Sequence, residues 1–365
     1  MANANANALL SWAQSFTPAP EKGKDVYRAT ETPWHPIWGR GVFGGVLLGQ
    51  SLAVAQDTVP SNFVAHSLHG SFILSAKTTV PTFYHVERLR DGKSVASRVV
   101  KAFQSGDCVF TATISFFVKS PSTKRGMNHQ VSMPPEILKQ GPPSGLGQDV
   151  DPALLAEAGQ TRNGSMYECV RIPPVRSEDQ PERQKLRQWI RARGPAAREQ
   201  NSSKRFDDPA SSQRAHLAAL AYMTDNYFIG TVARAHGGKR FNNQQSIQPI
   251  ISSLLDVKTE TRDVVGSFDG LAQEEAEEYT RDSTKTDADR ANIQLMLTLD
   301  HSIYFHNQAA IRADDWMLAE METPWAGDER GLVVQRVWNR DGTLVASCFQ
   351  EGMIRLSRDK PQNKL

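Results

Sequence analysis

Three side chains stand out by type and position as carriers of chemistry: Asp225, Thr298 and Gln350. Asp225 falls inside the stretch AHLAALAYMTDNYFIG (215–230), where Leu217, Ala221 and Phe228 recur at helical spacing. Four residues after Ala221 and three before Phe228, the carboxylate shares their apolar face. Burying an unpaired carboxylate costs several kcal/mol, so a reason is needed for its position. Two readings supply one: an aspartate at a helix end that accepts backbone hydrogen bonds, or a buried general base. Thr298 lies in LMLTLDHSIYF, where Leu295, Leu297 and Leu299 alternate with Met296, Thr298 and Asp300. It faces opposite to the leucines, either for its strand propensity or for its hydroxyl. In the last strand-like run Ala346, Cys348 and Gln350 share one face, with Val345, Ser347 and Phe349 on the other. Gln350 reads there as a polar edge side chain or as a hydrogen-bonding partner in a site.

Other constellations are weaker. His66 and His69, and His301 and His306, sit in the repeated segment, and the match of His66 to His301 points to a shared structural role. Neither HExxH nor a comparable metal-ligand spacing is present. No GxSxG elbow offers a serine nucleophile. The glycines Gly39, Gly41, Gly44 and Gly45 lack the GK[ST] ending of a phosphate loop. Cys108, Cys169 and Cys348 are odd in number, far apart and without a CxxC pair, so a reducing compartment is expected.

The elements that must position these residues occur twice. FGGVLLGQSLAVAQDTV (43–59) has helical spacing and is followed by HSLHGSFI (66–73) and FYHVERLRDGKSVASRVVKAFQSGDCVFTATISFFV (83–118). The second copy has the helix at 215–230, then LTLDHSIYFH (297–306) and GLVVQRVWNRDGTLVASCFQEGMIR (331–355). The segments after each helix alternate apolar with polar residues and are rich in Val, Phe and Thr, so they predict strands. Ser105-Gly106-Asp107 and Arg340-Asp341-Gly342 predict hairpin turns. Each half is thus one helix followed by antiparallel strands, and a sheet curled around one long helix is the hotdog arrangement. Displacing the second half by 235 positions sets Phe63 against Thr298, and by 236 sets Ile114 against Gln350. Apolar residues stand in one half where hydrogen-bonding ones stand in the other, which predicts one active set per chain.

Between the halves, 119–214 is rich in Pro, Gly, Ser and charge and predicts a linker with short helices, one of them at 183–193. Its basic run 183–205 reads as a solvated face, with contact to phosphates as the alternative. A second polar segment, 257–290, predicts a surface insertion or a disordered stretch. With 42 basic and 40 acidic residues, nothing in the charge favours nucleic acid. No apolar run reaches the roughly 18–20 residues that span a bilayer. The N-terminal MANANANALL lacks the pattern of a secretory signal. The chain ends Asn363-Lys364-Leu365, which keeps two residues of the Ser-Lys-Leu type of peroxisomal address.

These segments resemble the type II acyl-CoA thioesterases, a double-hotdog family with bacterial and peroxisomal members. The resemblance rests on FGGVLLGQSL, HSLHGSFI, ERLRDGKSVASRVV and ISFF in the first half, and on AYMTDNYF, LDHSIYFH and RDGTLVASCFQEGMIR in the second. It implies an α+β fold, a double hotdog with two antiparallel sheets each wrapped around a long central helix. The halves are expected at 1–120 and 207–358, with a linker at 121–206, a polar insertion at about 235–290 within the second half and a tail at 359–365. It also implies that Asp225, Thr298 and Gln350 together hold one water that attacks the thioester of a fatty acyl-CoA, with no cofactor and no metal. Pairing into homo-oligomers is implied as well. An import receptor reading Asn363, Lys364 and Leu365 would place the chain in peroxisomes; the cytoplasm is the alternative. The stretch from Asp225 to Thr298 is longer than in compact members. Two rival functions remain: a non-catalytic acyl-CoA-binding hotdog protein, and a hotdog enoyl-CoA hydratase. The hydratase motif Asp-x-Asn-Pro-x-His is absent after Asp225.

Overall fold

The computed structural model describes residues 9–33, 41–118, 127–143, 166–172, 180–192, 209–226, 228–239 and 290–357. The 240–289 part of the expected insertion, the basic residues of 193–205 and the C-terminal tripeptide lie outside the described residues. In the first half, α1 (Leu9–Ala13), β1 (Phe16–Pro18) and β2 (Val26–Ala29) precede the long helix α2 (Gly44–Asp57). Strands β3 (Phe63–Phe72), β4 (Phe83–Asp91), β5 (Val95–Gln104) and β6 (Asp107–Val118) follow. The second half contains α3 (Pro135–Gln140), β7 (Tyr167–Ile172), β8 (Leu186–Ala192), α4 (Pro209–Thr224) and α5 (Gly230–Ala235). Its remaining strands are β9 (Ile293–Thr298), β10 (Asp300–Phe305), β11 (Met317–Gly327), β12 (Arg330–Asn339) and β13 (Leu344–Leu356).

Each half is a sheet wrapped around a helix. Every residue of α2 from Gly45 to Gln56 is buried, and so is every residue of α4 from Ala215 to Thr224. Helices buried on all sides are apolar all round, which accounts for their continuous small and aliphatic sequences. The hairpin between β5 and β6 turns at Ser105 and Gly106, whose φ of 50° and 94° suit a two-residue turn matched to strand twist.

The two half-sheets are not separate. The strand order is β1-β2-β4-β5-β6-β3-β10-β13-β12-β11-β8-β7, with β9 paired to β13. All these pairings are antiparallel. Edge strands β3 and β10 join the halves, from Asp300 against Ser71 to Tyr304 against Ser67, with Leu68 opposite Ile303. The junction pairs two rows of backbone groups that would otherwise be exposed edges.

The central helices pack directly on each other and run antiparallel. A Cβ on Gly45 would sit 2.3 Å from the Tyr222 carbonyl oxygen, and one on Gly49 3.0 Å from that of Ala218. Farther along, Gln56 Nε2 donates to the Arg214 carbonyl at 3.2 Å. Glycine at the crossing lets the start of α2 meet the end of α4.

Three expectations are revised. In place of the helix expected at 183–193, a 3₁₀ turn ends at Arg183 and β8 occupies Leu186–Ala192, pairing with both β7 and β11. Leu186, Gln188, Ile190 and Ala192 are buried in period two, a strand signal masked because a polar residue, Gln188, stands on the buried face and an apolar one, Trp189, is buried on the other. The segment expected as a linker therefore supplies two strands to the second half's sheet. Second, the helix expected over 215–230 ends at Thr224, and α5 starts anew at Gly230. Third, the strand registers shift one correspondence between the halves. Ser67 pairs with Ser115 and Ser302 with Phe349; with Ser67 matched to Ser302 in the repeat, Ser115 matches Phe349 and Val118 matches Gly352, whose partners are Phe63 and Thr298. Two residues before Val118 and Gly352 stand Phe116 and Gln350, so Gln350 matches Phe116 and not Ile114. The register of β3 with β6 shifts between Ala65 and Ser67, which displaces any alignment made at a single offset. Phe116 is fully buried, and the contrast of an apolar first half with a polar second half remains.

Candidate active site

Asp225 follows the last residue of α4, at the point where the two halves meet. Its side chain is 7% exposed. Across from it, the backbone N–H of Gly45 donates a hydrogen bond to the carboxylate. That N–H belongs to the first turn of α2, where amides have no partner within their own helix and the helix dipole favours an anion. A Cβ on Gly44 would lie 2.7 Å from Asp225 Oδ2 and 2.9 Å from the Phe72 ring. Two glycines thus bring the end of one half's helix onto the other half's carboxylate. Of the two readings of Asp225, the helix-end one is correct about place. The backbone donor comes from the opposite helix, so Asp225 does not cap its own.

The second contact comes from β13. Gln350 is fully buried on the inner face, and its Nε2 donates to Asp225 Oδ1 at 2.7 Å. The same nitrogen lies 3.0 Å from His301 Nδ1 on β10. His301 Nε2 lies 3.2 Å from Thr224 Oγ1, which donates to the Ala221 carbonyl at 2.9 Å. Burial pushes the Asp225 carboxyl up from 3.8 to about 7, against the hydrogen bonds from Gln350 and Gly45 that hold it down. Burial also pushes the fully buried His301 down to about 3, so its ring is neutral. Its 3.8 Å separation from Asp225 is therefore not an ion pair. The neighbouring Cys348 thiol and Tyr222 phenol are raised by burial and stay protonated.

Thr298 is held less directly. It stands opposite Gly352 in the β9–β13 pairing, two residues along from Gln350, so it shares the inner face with Gln350 as a diagonal neighbour. It is half-buried, and among the described residues no hydrogen bond joins its side chain to Asp225 or Gln350. The structure thus brings Asp225 and Gln350 into contact and sets Thr298 on the same face nearby. Among the described residues no group of three or more His, Cys, Asp or Glu side chains is placed to hold a metal ion.

Sequence reasoning missed His301, Thr224, Gly44 and Gly45. His301 does not share its surroundings with His66, which is half-buried with its ring 5.8 Å from that of Phe117. His301 lies instead among Gln350, Thr224 and the Phe228 ring, 5.2 Å away. The recurring histidine marks a common strand position, but the partners differ because the facing residues differ. A glycine pair opening a buried helix was a legible sign of close approach, and nothing local said what approached it.

Residues 30–117 match the family described as acyl-CoA thioesterase N-terminal domain, and residues 141–354 the one described as acyl-CoA thioesterase C-terminal domain. The mouse protein named acyl-coenzyme A thioesterase 8 is 32% identical over 352 residues, covering 94% of this chain and 88% of the relative. The yeast (Saccharomyces cerevisiae) protein named peroxisomal acyl-coenzyme A thioester hydrolase 1 is 25% identical over 344 residues, covering 88% of each. The solved structure of an acyl-CoA thioesterase II from Mycobacterium marinum superposes with a TM-score of 0.60 at 24% identity. The match covers 96% of this chain and 98% of that one, and supports the hotdog architecture. With family matches over both halves and a relative of this similarity along nearly its whole length, the chain belongs to the acyl-CoA thioesterase family.

Proposed function

We propose that this chain hydrolyses fatty acyl-CoA to free fatty acid and CoA, with Asp225 as general base and Gln350 and Thr298 as the groups that hold the attacking water. The observation that carries the assignment is the buried Asp225–Gln350 contact at 2.7 Å, capped by the amide of Gly45 from the opposite half. The water oxygen attacks the thioester carbonyl carbon while Asp225 takes its proton. The tetrahedral intermediate then collapses, the C–S bond breaks and the CoA thiolate leaves, and the proton held by Asp225 returns to the sulfur. A carboxyl raised to about 7 suits both transfers, because base strength and ionised fraction are balanced near neutral pH. Thr298 and Gln350 are diagonal neighbours on one sheet face, a placement from which the two side chains can share one water.

Hydration of an enoyl-CoA fits less well. A histidine does stand near Asp225, but Nδ1 of His301 meets Gln350 and its Nε2 meets Thr224. Neither ring nitrogen is left to serve a substrate. A purely binding protein gives no reason to bury an ionisable carboxylate against an amide. Thiol release measured with acyl-CoAs of several chain lengths tests the activity and reveals the chain-length preference; substrate binding without thiol release would refute it. The yeast relative's name supports a peroxisomal address for this chain. Imaging the N-terminally tagged full chain, with and without its last three residues, tests that reading and its receptor. The expected pairing of copies is tested by molar mass in solution.

A further inference from the structure

We infer that His301 is a positioning residue: it fixes which way the Gln350 amide faces and so keeps the amide nitrogen on Asp225. The inference rests on the reading of Asp225 as an ionised base. It follows from counting protons. Thr224 Oγ1 has a single proton, and this goes to the Ala221 carbonyl at 2.9 Å, which can only accept. At 3.2 Å from His301 Nε2, the hydroxyl must therefore accept in turn, so the ring carries its proton on Nε2. Nδ1 is then a bare lone pair and accepts from Gln350 Nε2 at 3.0 Å. The other amide proton goes to Asp225 Oδ1 at 2.7 Å.

Every contact in this chain runs one way, from the Gln350 amide through the ring and the hydroxyl to a helix carbonyl. Turning the amide over would set Oε1 against a carboxylate oxygen and a ring lone pair, two acceptor–acceptor contacts in a buried site. With the amide fixed, Oε1 is the atom left over. It is buried and accepts no hydrogen bond among the described residues. An amide oxygen and a carboxylate oxygen are both acceptors, so together they take the two protons of one water, leaving one lone pair to accept from the Thr298 hydroxyl and one for the carbonyl carbon. The groups around the ring come from each element packed on it: Thr224 of α4, Asp225 and Phe228 beyond it, and Gln350 of β13, with Cys348 bonded to the same Thr224 hydroxyl. Asp225 is faced by Gln350, His301, the Gly45 amide and Tyr222.

Two variants separate orientation from bulk. In His301→Asn the side-chain oxygen stands close to the position of Nδ1, so Gln350 keeps its acceptor. In His301→Gln the side-chain amide reaches toward Thr224 and leaves no acceptor at Nδ1. His301→Gln is expected to lower kcat about 10-fold or more with KM for acyl-CoA little changed, since only transition-state geometry suffers. It should also move the acid limb of the kcat–pH profile upward, because Asp225 loses a fixed donor. His301→Asn should retain most of kcat and the original limb. Equal losses in both variants with an unmoved limb would mean a merely structural histidine and overturn the inference. A readout independent of turnover is ¹⁵N NMR of the histidine-labelled wild type. It should show a neutral ring protonated at Nε2 from pH 6 to 9, and an Nδ1–H or charged ring would overturn the inference. If Asp225→Asn is inactive while His301→Gln matches wild type, only the role of His301 falls. An active Asp225→Asn removes the base and this inference with it.

Discussion

At the scale of single residues, the site is defined by a carboxylate kept in a place hostile to its charge. Asp225 titrates at about 7 in the folded chain and at 3.8 as a free side chain, so the folded state holds this proton more tightly. Stability from this group is therefore greatest in acid and falls as pH rises through about 7, by on the order of 4 kcal/mol in total. Asp225→Asn should raise the midpoint of thermal unfolding relative to wild type at pH 8, and the gap should narrow toward pH 5; a gap independent of pH would contradict the raised carboxyl. With Asp225 as the proposed base, activity depends on the ionised form, so kcat/KM should decline below about pH 7. His301 acts in the opposite sense on stability: its folded value of about 3 lies below 6.5, so its contribution is full above pH 6.5 and is lost as pH falls toward 3. Gln350→Ala should cost about 10²–10³-fold in kcat, the range for losing one preorganised hydrogen-bonding group, as measured by thiol release at saturating acyl-CoA. Asp225 stood out in the sequence as a carboxylate on an apolar helix face, whereas the strand position of Gln350 left it ambiguous and only the family resemblance singled it out. His301 was not legible, since its partners come from another helix and another strand and its match to His66 suggested a shared role.

At the scale of elements, the decisive contact is that of α2's first turn with the end of α4. Gly44 leaves no room for a side chain between Asp225 and Phe72. Gly44→Ala should push the carboxylate off the Gly45 amide, destabilise the fold by about 1–3 kcal/mol as overpacking does, and lower kcat more than it raises KM. Denaturant unfolding and steady-state kinetics check the two parts, and a variant with unaltered kcat would show that the close approach is dispensable. The helices and most strands were legible from period and turn residues. β8 was not, because Gln188 on its buried face and the apolar Trp189 on the other break the alternation. The end of α4 was not legible either, since Asp225, Asn226 and Phe228 continue its spacing while the backbone turns.

At the scale of the whole molecule, two similar halves make one sheet and one site. The duplication was visible in the sequence, but the edge-to-edge joining of β3 with β10 was not, because pairing between distant segments leaves no local trace. Leu68 and Ile303, both fully buried, face each other at that junction. Leu68→Ala should cost about 2–5 kcal/mol and unfold both halves together in one calorimetric transition; two separate transitions would contradict a shared sheet. The halves are not equivalent at the site, for Phe63 and Phe116 stand in the first where Thr298 and Gln350 stand in the second. The proposed function therefore has one centre per chain, and one substitution should silence it. The most direct test is thiol release from a long-chain acyl-CoA by Asp225→Asn. The expected result is a loss of about 10²–10⁴-fold in kcat with acyl-CoA binding retained. A rate near wild type, or near half of it as two independent centres would leave, would contradict the account.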